Sequence, residues 1–357
     1  MRKLMMFVLI AAMLLFGGTV MAQDATTLCG GLSEADCAFL TESGAAMEGL
    51  TSASFDFSFN VSAEGMDLGI TGDGAFSYDA AVMSAMAGID PTDLTAVLDG
   101  VKSAIAAFNG DLALTINVPP AAGAPFESLT LEMLLVEGNG YLNFASIAPL
   151  LGGPETLTAM GLPTEWAGLD LVDTIEQVVA MMGPQLEELE GQMGSMTETA
   201  MNPDDLMAFA QYFAFTRGAD ADGSAVFNGT LDFAGMMADP AFMSVLSAQM
   251  AAQGQEIPAE QLEQMGPMMV QLGEAFNVTL TQRVDLATKY LRGVDLVVTV
   301  DGAALDAMGA GTGTPNVDIT ASFNYSDFNA APAITAPAGA PVATFMQLIG
   351  LFGAMGQ

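Results

Sequence analysis

The chain has 357 residues and a formal net charge of −35, from 42 acidic residues against 7 basic ones and no histidine. The missing imidazole excludes a Ser-His or Cys-His nucleophile and a His-ligated metal, and the acidity argues against nucleic acid and anionic lipid surfaces as direct partners. Yet 52% of the residues are hydrophobic, so this is no disordered acidic tail, and much apolar surface must be buried.

The chain opens with a basic pair, Arg2 and Lys3, an apolar run from Leu4 to Phe16, and the small-residue site Val20-Met21-Ala22. This is the pattern of a secretory signal peptide cleaved after Ala22, and the run is too short to anchor in a bilayer. The expectation is an exported protein, secreted or in the cell envelope, with no stable membrane insertion. Leu28 before Cys29 rules out a lipobox. Export and an even cysteine count predict one disulfide, Cys29 to Cys37, stapling the N-terminal loop to the first helix.

Ser33 to Asp36 resembles a capping box and opens a helix to about Gly49. "SFDFSFNVS" (Ser54 to Ser62) then alternates without a slip, placing Phe55, Phe57, Phe59 and Val61 on a dry face. Its partner strand holds Met66, Leu68, Ile70, Phe76 and Tyr78 in one register. "PTDLTAVLDGVKSAIAAF" reads as a helix, and "DLALTINVP" as a strand with Leu112, Leu114, Ile116 and Val118 on one side. "SLTLEMLLVEGNGYLNF", which carries Leu129, Leu131 and Met133, reads as a hairpin about Gly138-Asn139-Gly140.

A methionine-rich helical stretch is expected from Leu150 to about Phe209, then a hairpin turning at Asp222-Gly223 and two helices. The third hairpin aligns Phe276, Val278 and Leu280 with Val294, Leu296, Val298 and Val300. "NVDITASFNYSDF" is a last strand through Val317, Ile319, Phe323 and Tyr325, before an Ala/Pro segment and a short apolar tail.

About ten strands, nearly all apolar on one side, alternate with helical inserts near 80–107, 150–210 and 234–273. Hairpins with segregated helices imply an α+β fold: a curved antiparallel half-barrel sheet of about ten strands, its concave face covered by helices, in one domain over 23–357.

The order of these segments resembles the exported lipid and lipoprotein carriers of the LolA and LppX/LprG type. The likeness rests mainly on "TLTQRVDLATKYLRGVDLVVTV" and "DITASFNYSDFNAAPAITAPA", with "LTSASFDFSF", "YLNF…EWAGLDL" and "DADGSAVFNGTLDF" in the same order. It implies a half-barrel whose concave face holds acyl chains under helices. The chain departs from that group in lacking a lipobox cysteine and in its longer helical blocks.

Chemistry has few candidates. Acidic residues are too many and too scattered for a carboxylate pair to stand out, so no catalytic residue, cofactor or metal ligand is assigned and no enzyme is expected. "DADG" (Asp220 to Gly223) resembles part of a calcium loop, but Gly229 stands where the bidentate Glu belongs, which leaves a hairpin turn. Met193 with Met196, and Met265 with Met268 and Met269, are spaced to share helix faces, as core or as an adaptable lid over an apolar ligand. The expected function is a non-enzymatic carrier or binding protein for a lipid or acyl-chain ligand, with an envelope protein as partner. Its cavity walls would be Phe55, Phe57, Phe59, Val61, Leu68, Ile70, Leu112, Leu114, Ile116, Leu129, Leu131, Met133, Val278, Leu280, Leu296 and Val298. Arg292, either at the cavity rim toward a headgroup or paired with Asp285 and Asp295, and Trp166 would mark the mouth. The alternative is a secreted structural or interaction protein whose dry face is filled by its own side chains.

Overall fold

A computed structural model describes residues 29–64, 66–89, 93–119, 127–181, 210–244, 259–307, 313–344 and 346–347. The segment expected to be a signal peptide, Met193 and Met196, the side chain of Met265, and most of the apolar tail lie outside the described residues. The strands are β1 (Ser52–Ala63), β2 (Met66–Tyr78), β3 (Phe108–Asn117), β4 (Ser128–Val136), β5 (Asn139–Asn143), β6 (Trp166–Asp170), β7 (Phe213–Arg217), β8 (Ser224–Leu231), β9 (Phe276–Asp285), β10 (Leu291–Val300), β11 (Val317–Ser326) and β12 (Val342–Ala343). They pair in the order β12-β6-β5-β4-β3-β2-β1-β11-β10-β9-β8-β7, an open sheet of twelve strands with helices, hence α+β. The hairpins are antiparallel, whereas β12 runs parallel to β6 and makes the sheet mixed.

Two of the twelve strands exceed the expected count. β6 lies inside the stretch read as helical, and β12 falls between the Ala/Pro segment, which ends at Pro341, and the apolar tail. Five residues running straight into a helix are too few for a period of two to show. The β12 pairing is set by tertiary contact, with the Gly168 N–H donating to the Pro341 carbonyl at 2.8 Å. One turn is also displaced. The β4–β5 loop is Glu137-Gly138, both at positive φ (50° and 83°), while Asn139 and Gly140 already belong to β5. A two-residue loop of this hand needs both central residues left-handed, which the glycine provides. The β7–β8 turn falls at Asp222-Gly223 as read.

The helices are α1 (Glu34–Glu48), α2 (Ala80–Ala87), α3 (Leu94–Ala107), α4 (Phe144–Ile147), α5 (Pro154–Ala159), α6 (171–181), α7 (Phe233–Ala238), α8 (Ala259–Glu274) and α9 (Gly302–Ala307). Several of the abundant carboxylates cap them. Asp79, Asp93 and Asp232 accept backbone N–H groups at the starts of α2, α3 and α7, as Ser33 does for α1. Each satisfies an orphan donor, and the aspartates also place negative charge against the helix dipole.

The described residues form two compact units, one within Met1–Leu50 and Met201–Ser322, the other within Thr51–Ala200 and Phe323–Gln357. The first has its core at β8 and β9, where Ala225, Phe227 and Val284 are 0–1% exposed beneath Leu32, Phe39, Leu40 and Leu291. The Cys29–Cys37 disulfide, with a Cα separation of 5.3 Å, ties the preceding loop to α1. That loop lies on β7, the end strand of the sheet. The Phe215 N–H donates to the Gly30 carbonyl at 2.8 Å, and a Cβ on Gly30 or Gly31 would stand 2.8 Å from the Phe213 or Phe215 carbonyl oxygen. Glycine permits this approach, and the loop shields an otherwise open strand edge.

Two cations hold α1 in place. The Arg217 guanidinium lies 4.8 Å from the Phe227 ring centre and 3.7 Å from Asp36, and the Lys289 ammonium lies 3.8 Å from the Phe39 ring centre and 3.9 Å from Glu42. The β9–β10 turn is organised by Asp285, which accepts from the backbone N–H and hydroxyl of Thr288, from the Ala287 N–H, and from Arg292 at 2.6 Å. Those bonds, the Thr288 N–H foremost, hold its carboxyl below the usual carboxylate range despite burial.

Candidate apolar binding face

The second unit is built on a continuous register. Residues directly opposite in an antiparallel pair share a face. From β1 to β4 the rows run Phe55–Gly74–Leu112–Met133, Phe57–Gly72–Leu114–Leu131, and Phe59–Ile70–Ile116–Leu129, with Val61 opposite Leu68. Twelve of the sixteen expected wall residues therefore lie on one side of four strands. The first row continues through Leu142 on β5 to Ala167 on β6. The other four, Val278, Leu280, Leu296 and Val298, share a face of the β9–β10 pair in the first unit.

Glycines shape this surface. A Cβ at Gly72 would come 2.6 Å from Phe57 Cζ, and one at Gly74 would come 3.0 Å from Phe55 Cζ. Both phenyl rings thus extend across β2 over backbone that has no side chain. Such aromatic–glycine pairs compensate the glycine's lost packing. The same cross-strand pair recurs as Tyr141 with Gly168 and, in the first unit, as Phe215 with Gly229. The rings meet one another: Phe323 stacks on Phe55 and Phe57 with centroids 5.7 and 6.0 Å apart, Phe55 contacts Phe76, and Phe76 stacks on Tyr78 and Phe108. Tyr325 lies against Phe323 at 4.7 Å, and burial pushes its hydroxyl pKa up.

This face is apolar but not closed. Leu129 is buried, most of the remaining wall residues are half-buried, and Leu68 and Met133 are 38% and 37% exposed. Near the β4–β5 turn it meets helices: Leu171 of α6 lies against Gly140, and Val172 of α6 with Ala106 of α3 lies against Gly138. Lys102 joins the two helices, 2.8 Å from Asp99 and 3.6 Å from Glu176.

Of the two residues expected at the rim, Arg292 takes its other expected role, pairing with Asp285. Arg292 sits at a register shift in β10 and is engaged by Asp285 and, at 3.3 Å, by the Asp222 carbonyl. Arg283 pairs with Asp295, whose carboxyl burial would raise but which hydrogen bonds from Arg283 and Ser322 hold below the usual range. Trp166 opens β6 opposite Asn143, out of register with Ala167 and Leu169, and lines a separate open cavity of about 460 Å³ with Pro163, Glu165 and the Pro337–Pro341 segment. Asp220 of the calcium-like stretch pairs with Arg217. Among the described residues no cluster of three or more His, Cys, Asp or Glu is placed to hold a metal ion, and no helix is long and apolar enough to cross a membrane.

Sequence reasoning left several members of the face unassigned. Phe76, Tyr78, Phe323 and Tyr325 were visible by parity. Phe108, Leu135 and Leu142 follow once the pairing partners are known, and Leu169 was hidden by the helical reading of β6.

No family model matches the chain, and no curated protein matches it as a relative. One solved structure similar in part is that of a DUF1329 family protein from Desulfovibrio piger, with a TM-score of 0.18 and 8% identity over 83% of this chain and 92% of that one. A likeness at that level carries no argument.

Proposed function

We propose that the protein is an exported, non-enzymatic carrier or binding protein for a lipid or acylated molecule, held against the apolar face of β1 to β4. The observation that carries this reading is the unbroken register of twelve apolar side chains, paved by aromatic rings yet mostly half-buried. A face that served only as core would be expected to close as the β8–β9 core does, at 0–1% exposure. The driving force is acyl burial at about 0.8 kcal/mol per CH₂, so one long chain offers on the order of 10 kcal/mol before ordering costs. Such binding needs few directed contacts, which suits a wall of Phe, Leu, Ile and Met. In the LolA and LppX/LprG-like arrangement this face would be the concave side of a half-barrel under helices, with release to an envelope partner. The disulfide fits an oxidising, extracytoplasmic setting.

The test is titration of the delipidated protein with a fluorescent acylglycerol. Saturable one-to-one binding is expected in the native protein. It should be lost in Phe57→Asp and weakened in the milder Gly72→Val, which crowds the Phe57 ring, with both variants retaining native circular dichroism. Native protein that takes up no probe would move the assignment to a structural or interaction protein with a filled core.

A further inference from the structure

The Trp166 cavity lies off the apolar face, since Trp166 alternates with Ala167, and the carrier reading does not use it. Its volume of about 460 Å³ is that of a small-molecule site. Backbone bonds hold both walls, which belong to one unit. On one side the Phe144 N–H donates to the Glu165 carbonyl at 3.1 Å, and Trp166 pairs with Asn143. On the other, β12 lies on β6, and the Gly168 N–H donates to the Pro341 carbonyl at 2.8 Å. The segment before Pro341 closes in a turn, with the Ala340 N–H donating to the Pro337 carbonyl at 3.2 Å. Gly339 supplies the positive φ, 74°, that the third position of such a turn requires.

The chemistry of these walls is one-sided. The half-buried indole of Trp166 supplies an electron-rich π-system, and the exposed Glu165 side chain supplies a carboxylate. Among the described residues every lysine and arginine is held by another carboxylate, and none lies over the indole. Hydrogen-bond donors are scarce. Pro163, Pro337 and Pro341 have no N–H, and that of Ala340 is engaged in the turn. An anion would need several donors, and a sugar would need donors and acceptors together. A quaternary ammonium group needs none, because π-surface and negative charge are what hold it. The chain's net charge of −35 raises the local concentration of such a cation further.

We propose that the cavity between Trp166 and the Pro337–Pro341 segment binds a trimethylammonium group, carried by a free small cation or by a choline headgroup. Trp166 is the chain's single tryptophan, so its emission reports on this cavity alone. The full chain is titrated at constant ionic strength with choline and with dihexanoylphosphatidylcholine below its micelle threshold. Dimethylbutanol, the uncharged tert-butyl isostere of choline, is the control. Choline should shift the emission saturably, and the isostere should not. Glu165→Gln, at an exposed position, should raise the half-saturating choline concentration about two- to fivefold. By calorimetry, Trp166→Leu should lose choline binding, whereas Trp166→Tyr, which keeps a ring, should retain part of it. A response at lower concentrations of phosphatidylcholine than of choline supports the proposal with a headgroup as the source, and the reverse supports it with a free cation. Equal binding of the isostere, or no saturable response to either choline compound, overturns the proposal.

Discussion

The two units treat the same raw material differently. Both put an aromatic ring opposite a glycine, Phe215 over Gly229 in one and Phe57 over Gly72 in the other. In the first unit the neighbouring strands β8 and β9 are sealed. A disulfide, a glycine loop on the β7 edge, and two cations over Phe39 hold α1 down, and Phe227 and Val284 are 0% and 1% exposed. In the second unit a longer apolar register, spread over four strands, leaves Leu68 and Met133 more than a third exposed. The difference teaches that alternation alone specifies a dry face. Whether that face becomes core depends on what is fastened over it.

That contrast can be broken by mutation. The largest effect is expected from Phe227→Ala, about 3–5 kcal/mol of stability lost in a denaturant melt, because a fully buried ring leaves a cavity. Phe57→Ala should cost less than about 2 kcal/mol yet remove most acylglycerol uptake, since its ring is only half-buried. The reverse ranking would erase the distinction between the units.

Next comes the clasp. Replacing Cys29 and Cys37 together with serine should lower stability by about 2–3 kcal/mol, the effect of a short loop on the unfolded chain. It should also raise hydrogen exchange in α1 and β7 while leaving that of β2 and β3 unchanged.

The smallest effect sharpens the pH response. Asp285 has its carboxyl pKa depressed in the folded protein. Its contribution is therefore present above the ordinary carboxylate pKa of about 4 and is lost as pH falls below that toward the folded value. Asp285→Asn should cost about 1–2 kcal/mol at pH 7 and flatten the acid limb of stability below the ordinary carboxylate pKa of about 4.

Much of this architecture was legible in the chain. The β1 face, the partner register through Ile70 and Phe76, the Asp222-Gly223 turn, the Ser33 cap and the disulfide all follow from local patterns: a period of two, left-handed turn residues and a short cysteine spacing. What failed was non-local. β6 and β12 exist because other segments offer them backbone partners, and neither is long enough to declare itself. The β4–β5 turn shifted by a residue because glycines at both 138 and 140 fit a loop, and only the pairing of Val136 with Asn139 decides between them. For Arg292 the Asp285 partner was legible from its nearness in the sequence, whereas the register shift between Leu291 and Gly293 was not, because parity assumes an unbroken ladder.

The most direct test of the central claim is native mass spectrometry of the purified mature protein, with organic extraction and lipid analysis of what travels with it. The account predicts a stoichiometric acyl lipid that is absent from an equally folded Phe57→Asp variant. A bare polypeptide mass, in a protein that also refuses an acylglycerol offered in excess, would contradict it.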